Sequence, residues 1–273
     1  MKRRLALLRF TLQQRSLAGP AANWMFNCFA PTCEVLARRC IVEEQVEEDF
    51  RRLKFRGCPG YLYYPASLPT RMLYQTVAEQ FYPKNWHYYE MPQTMVGPED
   101  VVVDCGSAEG LFTLVSSQRA RQVVAVEPLL EFQRALEKTF AGSANVQLER
   151  CALGRTSGTA FMQSSGICSN LSGNSGGQEI EVLPLDKLCR DRGIECSYLK
   201  ADVEGFEQQL LEGAAEMIAR RKPKIAITTY HGTNDSAKMG AFLRKLVPEY
   251  QILCKGIEAV EGKSVMLHAW VGR

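Results

Sequence analysis

The sequence predicts an α/β fold: a mixed, mostly parallel sheet of seven strands with helices on both faces, preceded by a helical extension. From Pro98 onward, apolar strand-like runs alternate with helical runs, as a parallel sheet covered on both faces requires. The apolar run Val101–Asp104 ends in an acid and precedes a glycine turn and a helix. A second apolar run, at 122–126, precedes another acid, Glu127. This order describes half of a Rossmann-like nucleotide-binding domain.

The remaining elements follow from the same alternation of patterns. We predict strands at Val101–Asp104, Gln122–Val126, Val146–Leu148, Tyr198–Ala201, Ile225–Thr229, Gln251–Cys254 and Val265–Val271. We predict helices at Gly110–Gln118, Leu129–Phe140, Pro184–Arg192, Phe206–Ala219 and Ser236–Leu246. Residues 255–263 show no helical pattern, so the chain is expected to end in a hairpin that adds an antiparallel strand.

Three regions are predicted along the chain. Residues 1–56 read as a helical extension, including a solvated helix over Ile41–Lys54 that is dense in Glu and Arg. Residues 57–97 form a cap or crossing segment with a short strand, a helix over Thr70–Phe81 and an aromatic stretch at 82–90. Those aromatic side chains either pack this segment against the sheet or wall a substrate pocket. Residues 98–273 form the ligand-binding domain.

A stretch rich in Ser, Gly and Asn, residues 164–177, interrupts the second half of the chain. It lies between Thr159–Phe161 and Glu179–Val182, two runs that are expected to pair as strands. A connector of this composition is expected to be flexible, and a loop at this place is a candidate lid over the ligand.

Composition limits the classes of partner. A hydrophobic content of 46%, a charged content of 23% and a net charge of +3 are typical of a soluble globular protein. The charge is too small to predict nucleic acid or a membrane as partner, and neither is expected. The ten cysteines lie mostly in apolar stretches without metal-ligand spacing, which favours reduced thiols and a cytoplasmic location. The apolar run at the start is broken by Arg9 and predicts a surface helix rather than a signal peptide.

The glycine turn favours a nucleoside ligand without a pyrophosphate. Its spacing, D-x-G-x-x-x-G from Asp104 to Gly110, differs from the G-x-G-x-x-G of dinucleotide enzymes. Glycines let the backbone approach a ligand closely, and Glu127 is placed to bind both ribose hydroxyls. S-adenosylmethionine is the commonest cofactor of this kind. The predicted cofactor-binding residues are Asp104, Gly106, Ser107, Glu109, Gly110, Glu127, Pro128, Cys151, Ala152 and Asp202.

The candidate catalytic residues are Asp202, Glu204 and His231. All three follow predicted strands at the carboxyl edge of the sheet, where open α/β folds bind ligands. His231 is the candidate general base, because histidine is best matched to proton transfer near neutral pH. Asp202 either faces the cofactor's positive charge or caps the next helix, and Glu207 is expected in the first turn of that helix. No cluster with metal-ligand spacing is evident, so no metal is expected.

Residues 198–214, with the sequence YLKADVEGFEQQLLEGA, resemble the signature K-x-D-x-E-G-x-E…L-x-G-A of the FkbM family of methyltransferases. The glycine turn, Glu127-Pro128, residues 151–154 and residues 224–231 resemble the same family in the same order. The resemblance covers about residues 61 to 271. It implies a class I methyltransferase fold, S-adenosylmethionine as cofactor, and commonly O-methylation of hydroxyls on sugars or natural products.

Three readings of the function stay open on the sequence. The leading one is O-methylation of a small molecule with His231 as base. The second is an N- or carboxyl-methyltransferase acting on an amino acid, peptide or protein, which the same cofactor half would serve. The third is a non-catalytic scaffold, against which the intact glycine turn, Glu127 and Asp202 argue. A homodimer through the first helices is a further expectation.

Overall fold

A computed structural model describes residues 2–163, 170–172 and 178–272. Its α-helices are α1 Lys2–Gln13, α2 Arg15–Ala18, α3 Ala21–Phe29, α4 Cys33–Cys40, α5 Thr70–Phe81, α6 Leu111–Ser117, α7 Leu130–Thr139, α8 Leu185–Arg192, α9 Glu207–Glu212, α10 Ala215–Arg221 and α11 Ser236–Leu246. A short 3-10 helix covers Pro92–Thr94. Within the described ranges, each helix is too short or too polar to cross a bilayer.

The strands form three sheets. They are β1 Ile41–Glu47, β2 Phe50–Phe55, β3 Leu62–Pro65, β4 Val101–Cys105, β5 Gln122–Val126, β6 Val146–Glu149, β7 Ala152–Leu153, β8 Gly158–Gln163, β9 Asn170–Ser172, β10 Gln178–Leu183, β11 Tyr198–Ala201, β12 Lys224–Thr228, β13 Tyr250–Ile257 and β14 Ser264–Val271. The main sheet has the order β13-β14-β12-β11-β4-β5-β6, and the small ones have the orders β1-β2-β3 and β7-β10-β8-β9.

The main sheet confirms the predicted seven-stranded mixed architecture. Strands β6, β5, β4, β11 and β12 are parallel, whereas β14 is antiparallel to both β12 and β13. The predicted closing hairpin is therefore present. After β4 the chain adds β5 and β6 on one side and later β11 and β12 on the other. This reversal leaves a crevice at the carboxyl ends of β4 and β11, where folds of this type bind ligands.

Alternating residues of the central strands pack on opposite faces of the sheet. Val101 and Val103 pack with residues of α8 to α11 in one core. Val102 faces the opposite way, into a core that includes Leu7 of α1 and Trp86 of the aromatic segment. The first helices therefore supply part of the cover that the second face of the sheet needs to exclude water.

The prediction of a helix over Ile41–Lys54 is wrong, because these residues form the antiparallel pair β1 and β2. In β2, the buried residues Leu53 and Phe55 alternate with the half-buried Lys54, which is the period of a strand. The Glu and Arg side chains pair across the two strands, with Arg52 2.9 Å from Glu43. Charge density alone therefore misled the prediction, since cross-strand pairs and helical i,i+4 pairs use the same residue types.

The predicted helix over Phe206–Ala219 is divided into α9 and α10 at Gly213. A Cβ on Gly213 would lie 2.1 Å from the Gly154 carbonyl oxygen. This close contact fixes the backbone where a continuous helix would otherwise run, and the periodicity of the sequence does not reveal it.

The predicted pairing of Thr159–Phe161 with Glu179–Val182 is confirmed by β8 and β10, which are antiparallel with Phe161 opposite Glu179. Most of the candidate lid, residues 164–169 and 173–177, lies outside the described residues. The described part of this insertion adds a small sheet beside the cleft.

Candidate active site

Both glycines of the turn are packed against neighbouring parts of the protein. Gly106 and Gly110 have φ angles of 72° and 85°, which favour glycine. A Cβ on Gly106 would lie 2.0 Å from the Asp202 carbonyl oxygen, and one on Gly110 would lie 2.4 Å from Leu136 Cδ2. A side chain at either position would therefore collide with the β11 loop or with α7, while Gly106 itself still lines the cleft.

A buried ion pair holds this turn against β11. The Lys200 ammonium lies 2.8 Å from Asp104 Oδ1 and donates to the Gly106 carbonyl at 2.7 Å. Thr113 donates to the other Asp104 oxygen at 2.6 Å. Burial alone lowers the pKa of Lys200, but the charges of Asp104 and Asp202 outweigh burial and raise it. Asp104 and Gly110 were predicted to bind the cofactor, and the structure places both behind the cleft wall, where they support the turn.

Glu127 follows β5 and is held by two backbone amides. Ala108 and Leu129 donate to its two carboxylate oxygens, each at 3.0 Å. Burial raises the pKa of Glu127 to about 7, although these two hydrogen bonds act to lower it. Each oxygen keeps a second lone pair, so a pair of neighbouring hydroxyls on a ligand fits this carboxylate.

Two further polar side chains of the turn are buried without a hydrogen-bond partner in the described part of the chain. They are the hydroxyl of Ser107 and one oxygen of Glu109. Burial raises the pKa of Glu109 to about 7. Because buried polar atoms normally have partners, and both residues line the cleft, these atoms are suited to bind a polar ligand.

The cleft has about 1000 Å³ of empty volume, counting the open space at its mouth. Its apolar wall suits a flat heterocycle such as adenine and consists of Val126, Pro128, Leu129, Phe132, Cys151, Ala152, Leu153 and Met162. Its polar side includes Tyr89, Asp202 and Glu204. Apart from Asp104 and Gly110, the predicted cofactor-binding residues all line this cleft. The residues present fit S-adenosylmethionine.

The imidazole of His231 lies among three carboxylates. Its Nδ1 is 3.0 Å from Glu207 Oε1 and 3.6 Å from Asp202 Oδ1, and its Nε2 is 3.4 Å from Glu204 Oε2. Burial lowers the pKa of His231, but the Glu207 hydrogen bond and the charges of Asp202 and Glu204 outweigh it and raise the pKa to about 9. His231 is therefore protonated at neutral pH. Burial and the charge of Asp202 raise the pKa of Glu204 to about 7.

Glu207 lies in the first turn of α9, as expected, but the sequence reasoning missed its contacts within the cluster. It is fully buried and accepts hydrogen bonds from the amides of Val203 and Gly205 at 3.2 and 2.9 Å, and from the side chain of Asn234. It thereby shapes the loop that carries Glu204 and orients His231. The signal was present, because a glutamate in a first helical turn often reaches back to preceding amides.

Asp202, Glu207 and His231 also offer possible metal-ligand atoms within 4.8 Å of one another, a set that the sequence spacing did not reveal. The Glu207 oxygens, however, already accept several hydrogen bonds, including one from Thr228 at 3.0 Å. A carboxylate whose lone pairs are used in this way is built for hydrogen bonding rather than for coordination.

The aromatic segment supplies both structure and cleft wall. Tyr89 lines the cleft and donates to Asp202 Oδ2 at 2.5 Å, whereas Trp86 is buried and donates to the Ala18 carbonyl. Of the other histidines, His268 is buried in β14 beside Thr94, as expected of a structural residue. His87 packs edge-to-face on Tyr230.

Comparison with known families identifies the chain. The model of the FkbM methyltransferase domain matches residues 104–251, which is more than half of the chain. The chain belongs to the FkbM methyltransferase family. The predicted resemblance is therefore confirmed, and with it an enzyme class that uses S-adenosylmethionine. No curated protein matches the sequence significantly.

A solved structure agrees with the fold. The methyltransferase FkbM from Methylobacillus flagellatus KT aligns with a TM-score of 0.50 and 19% identity, over 88% of this chain and 58% of its own. The chain thus spans 58% of the length of that protein. More distant similarities include an rRNA methylase from Streptococcus thermophilus, with a TM-score of 0.44 and 11% identity over 65% of this chain and 90% of its own. Another is a putative tRNA methyltransferase from Streptococcus pneumoniae in complex with S-adenosyl-L-methionine, with a TM-score of 0.39 and 15% identity over 66% and 69%.

Proposed function

We propose that this chain methylates a hydroxyl group of a small molecule, such as a sugar or a natural product. Glu127, Ser107 and Glu109 would hold the polar parts of S-adenosylmethionine, and the apolar wall would hold its adenine. The bound cofactor supplies a methyl group already activated by a sulfonium. What remains for the protein is to position the acceptor and to remove its proton.

The observation that carries the chemical proposal is the cluster around His231, in which the carboxylates of Asp202 and Glu204 line the cleft. An alcohol must lose its proton as the new bond forms, and an effective base has a pKa near the working pH. Glu204 has a pKa of about 7 and lines the cleft. His231, with a pKa of about 9, holds its proton at neutral pH. We therefore assign the base to Glu204 and give His231 the role of positioning it, in place of the expected His231 base.

The same cluster bears on the alternative acceptors. Asp202 and Glu204 place two carboxylates at the cleft, and like charges repel a carboxylate acceptor. Carboxyl methylation is accordingly disfavoured. An amine is attracted by the same charges, so N-methylation of an amine is the second candidate.

A reducing compartment such as the cytoplasm is supported by the buried thiols of Cys105, Cys151 and Cys189.

Two measurements test the proposal. Calorimetry with S-adenosylmethionine is expected to give binding that the Glu127→Ala change weakens. Absence of binding in the unaltered protein would instead support a scaffold. Transfer of a radiolabelled methyl group to matched alcohols and amines then separates the acceptor classes. If only the amines became labelled, N-methylation would replace O-methylation as the proposed reaction.

A further inference from the structure

Helix α1 presents apolar side chains to solvent as well as to the core. Leu7 is buried, with 1% of its surface exposed, and packs beneath the main sheet. Leu5, Leu8 and Leu12 are 59%, 39% and 72% exposed. At 3.6 residues per turn, these three leucines fall within about 60° of one another around the helix. They form a continuous stripe on the side of α1 away from the core.

Helix α3 extends this exposed apolar surface. Met25 and Phe29 are 57% and 52% exposed. The Arg4 guanidinium of α1 lies 5.8 Å from the centre of the Phe29 ring, and Trp24 of α3 donates to Thr11 of α1 at 2.9 Å. The two helices are thus joined side by side. We call the exposed residues Leu5, Leu8, Leu12, Met25 and Phe29 the amphipathic surface.

The charges that residues 1–33 place beside the amphipathic surface have one sign. Residues 1–33 contain five basic residues and no acidic one, and the first acid of the chain is Glu34. Arg4 and Arg9, both exposed, fall on opposite sides of the leucine stripe, each about 40° beyond its edge. Arginines in such positions reach the polar boundary of a membrane while the leucines enter the apolar layer.

The amphipathic surface is firmly attached to the catalytic domain. Gln14 donates to the Gly262 carbonyl at 2.9 Å, and a Cβ on Gly262 would lie 2.6 Å from the ring of Phe10. The hairpin turn that carries Gly262 also carries Glu261, whose carboxylate is neutralised by Lys263 at 2.6 Å. Whatever binds this surface therefore fixes the orientation of the whole domain.

We propose that the amphipathic surface docks on an anionic phospholipid membrane, with α1 lying in the plane of the interface. Basic helices with an exposed apolar face bind membranes in this way through apolar burial and attraction to anionic lipids. The net charge of +3 conceals this feature, because the acids that lower it all lie after residue 33.

The charge of residues 1–33 also argues against a second copy of the chain as the partner that binds the amphipathic surface. In a two-fold symmetric contact the same patch meets itself, which would bring the basic residues of one copy close to those of the other. Residues 1–33 have no acid with which to compensate them. An anionic lipid surface meets both the apolar and the basic requirement.

The test is flotation of the full chain with vesicles of phosphatidylcholine alone or with about one third phosphatidylserine. We expect binding to the anionic vesicles, weakened by salt. The triple change of Leu5, Leu8 and Leu12 to Ser should abolish binding. Arg4→Ala with Arg9→Ala should lower the affinity roughly 10- to 30-fold.

The matched control is the double change Val42→Ser and Val46→Ser. These two valines are 50% and 61% exposed but lie on β1 among acids such as Glu43 and Glu44. We expect this variant to bind as the unaltered protein does. All variants replace exposed side chains, and unchanged thermal unfolding would verify that they fold.

Three outcomes would overturn the proposal: no binding to anionic vesicles, equal binding to both kinds of vesicle, or loss of binding in the valine control. A dimer in solution that the leucine changes dissociate would assign the surface to a second copy instead. Because no step uses the cleft, these results are independent of the proposed methyl transfer.

Discussion

The two sides of the cleft are built in different ways. On the cofactor side, Glu127 is held by backbone amides and the turn is held by the compensated pair of Asp104 and Lys200. On the acceptor side, Asp202, Glu204 and Glu207 surround one imidazole, so negative charge is in excess. The cofactor side is a rigid receptor fixed by local chain geometry. On the acceptor side, the protonation of the imidazole and of the carboxylates around it depends on electrostatic interactions between side chains from several loops.

The largest effect is expected from Glu204→Gln, which removes the proposed base but keeps the shape of the side chain. Turnover should fall about 10²- to 10⁴-fold, with little change in affinity for S-adenosylmethionine measured by calorimetry. Glu216→Gln, at a carboxylate that is 80% exposed, is the control. Nearly full turnover in Glu204→Gln would remove this residue from the mechanism.

Lys200→Met should act on the cofactor side through stability. It leaves the buried Asp104 charge without its partner, which costs about 3–5 kcal/mol, measured as the free energy of unfolding in urea. Adding Asp104→Asn should recover part of the loss. Lys187→Met, at an exposed ion pair, should cost less than about 1 kcal/mol. Equal losses in the two lysine variants would contradict a special role for the buried pair.

Glu127→Ala should weaken binding of S-adenosylmethionine about 10- to 100-fold, because hydrogen bonds to a charged group are lost. The affinity is measured by calorimetry. The control is Glu137→Ala, which changes an exposed residue of α7 and should leave the affinity unchanged. The same affinity in both variants would refute the assignment of Glu127 to the ribose.

The smallest effect concerns the pH dependence of stability. Glu109 and Glu127 have folded pKa values of about 7, above the ordinary 4.5, and His231 has about 9, above 6.5. A raised pKa stabilises the fold below the unfolded value and loses this contribution as pH rises through the folded value. The unfolding temperature should therefore fall between pH 4.5 and 7 and again between 6.5 and 9. Glu127→Gln should flatten the lower step and His231→Gln the upper one. An unfolding temperature that rises between pH 6.5 and 9 would contradict the expected loss of stability.

The order of elements on the cofactor side could be predicted because it depends on consecutive residues. Strand, turn and acid follow one another from Val101 to Glu127, and the structure retains this order. What the sequence could not show is which neighbour each glycine meets, since Asp202 contacts Gly106 across the sheet. Asp104 was consequently assigned to the ligand when its partner is Lys200.

The acceptor side was only partly predictable. The positions of Asp202 and His231 at the carboxyl edge followed from strand ends, but the pKa of His231 depends on distances between loops. Glu207 was expected to be an ordinary first-turn residue, and its burial against Asn234 and His231 is a tertiary contact. The hairpin of β1 and β2 was missed for a related reason, because its ion pairs cross between strands.

The protonation state of His231 decides whether Glu204 or His231 can act as the base. It can be measured without knowing the acceptor. The chain has three histidines, so an NMR titration of the imidazole signals, assigned with His231→Gln, resolves each one. We expect the pKa of His231 to be about 9, so that the imidazole remains protonated at pH 7.5. A value at or below the ordinary 6.5 would make His231 neutral at that pH and would return the role of base to it.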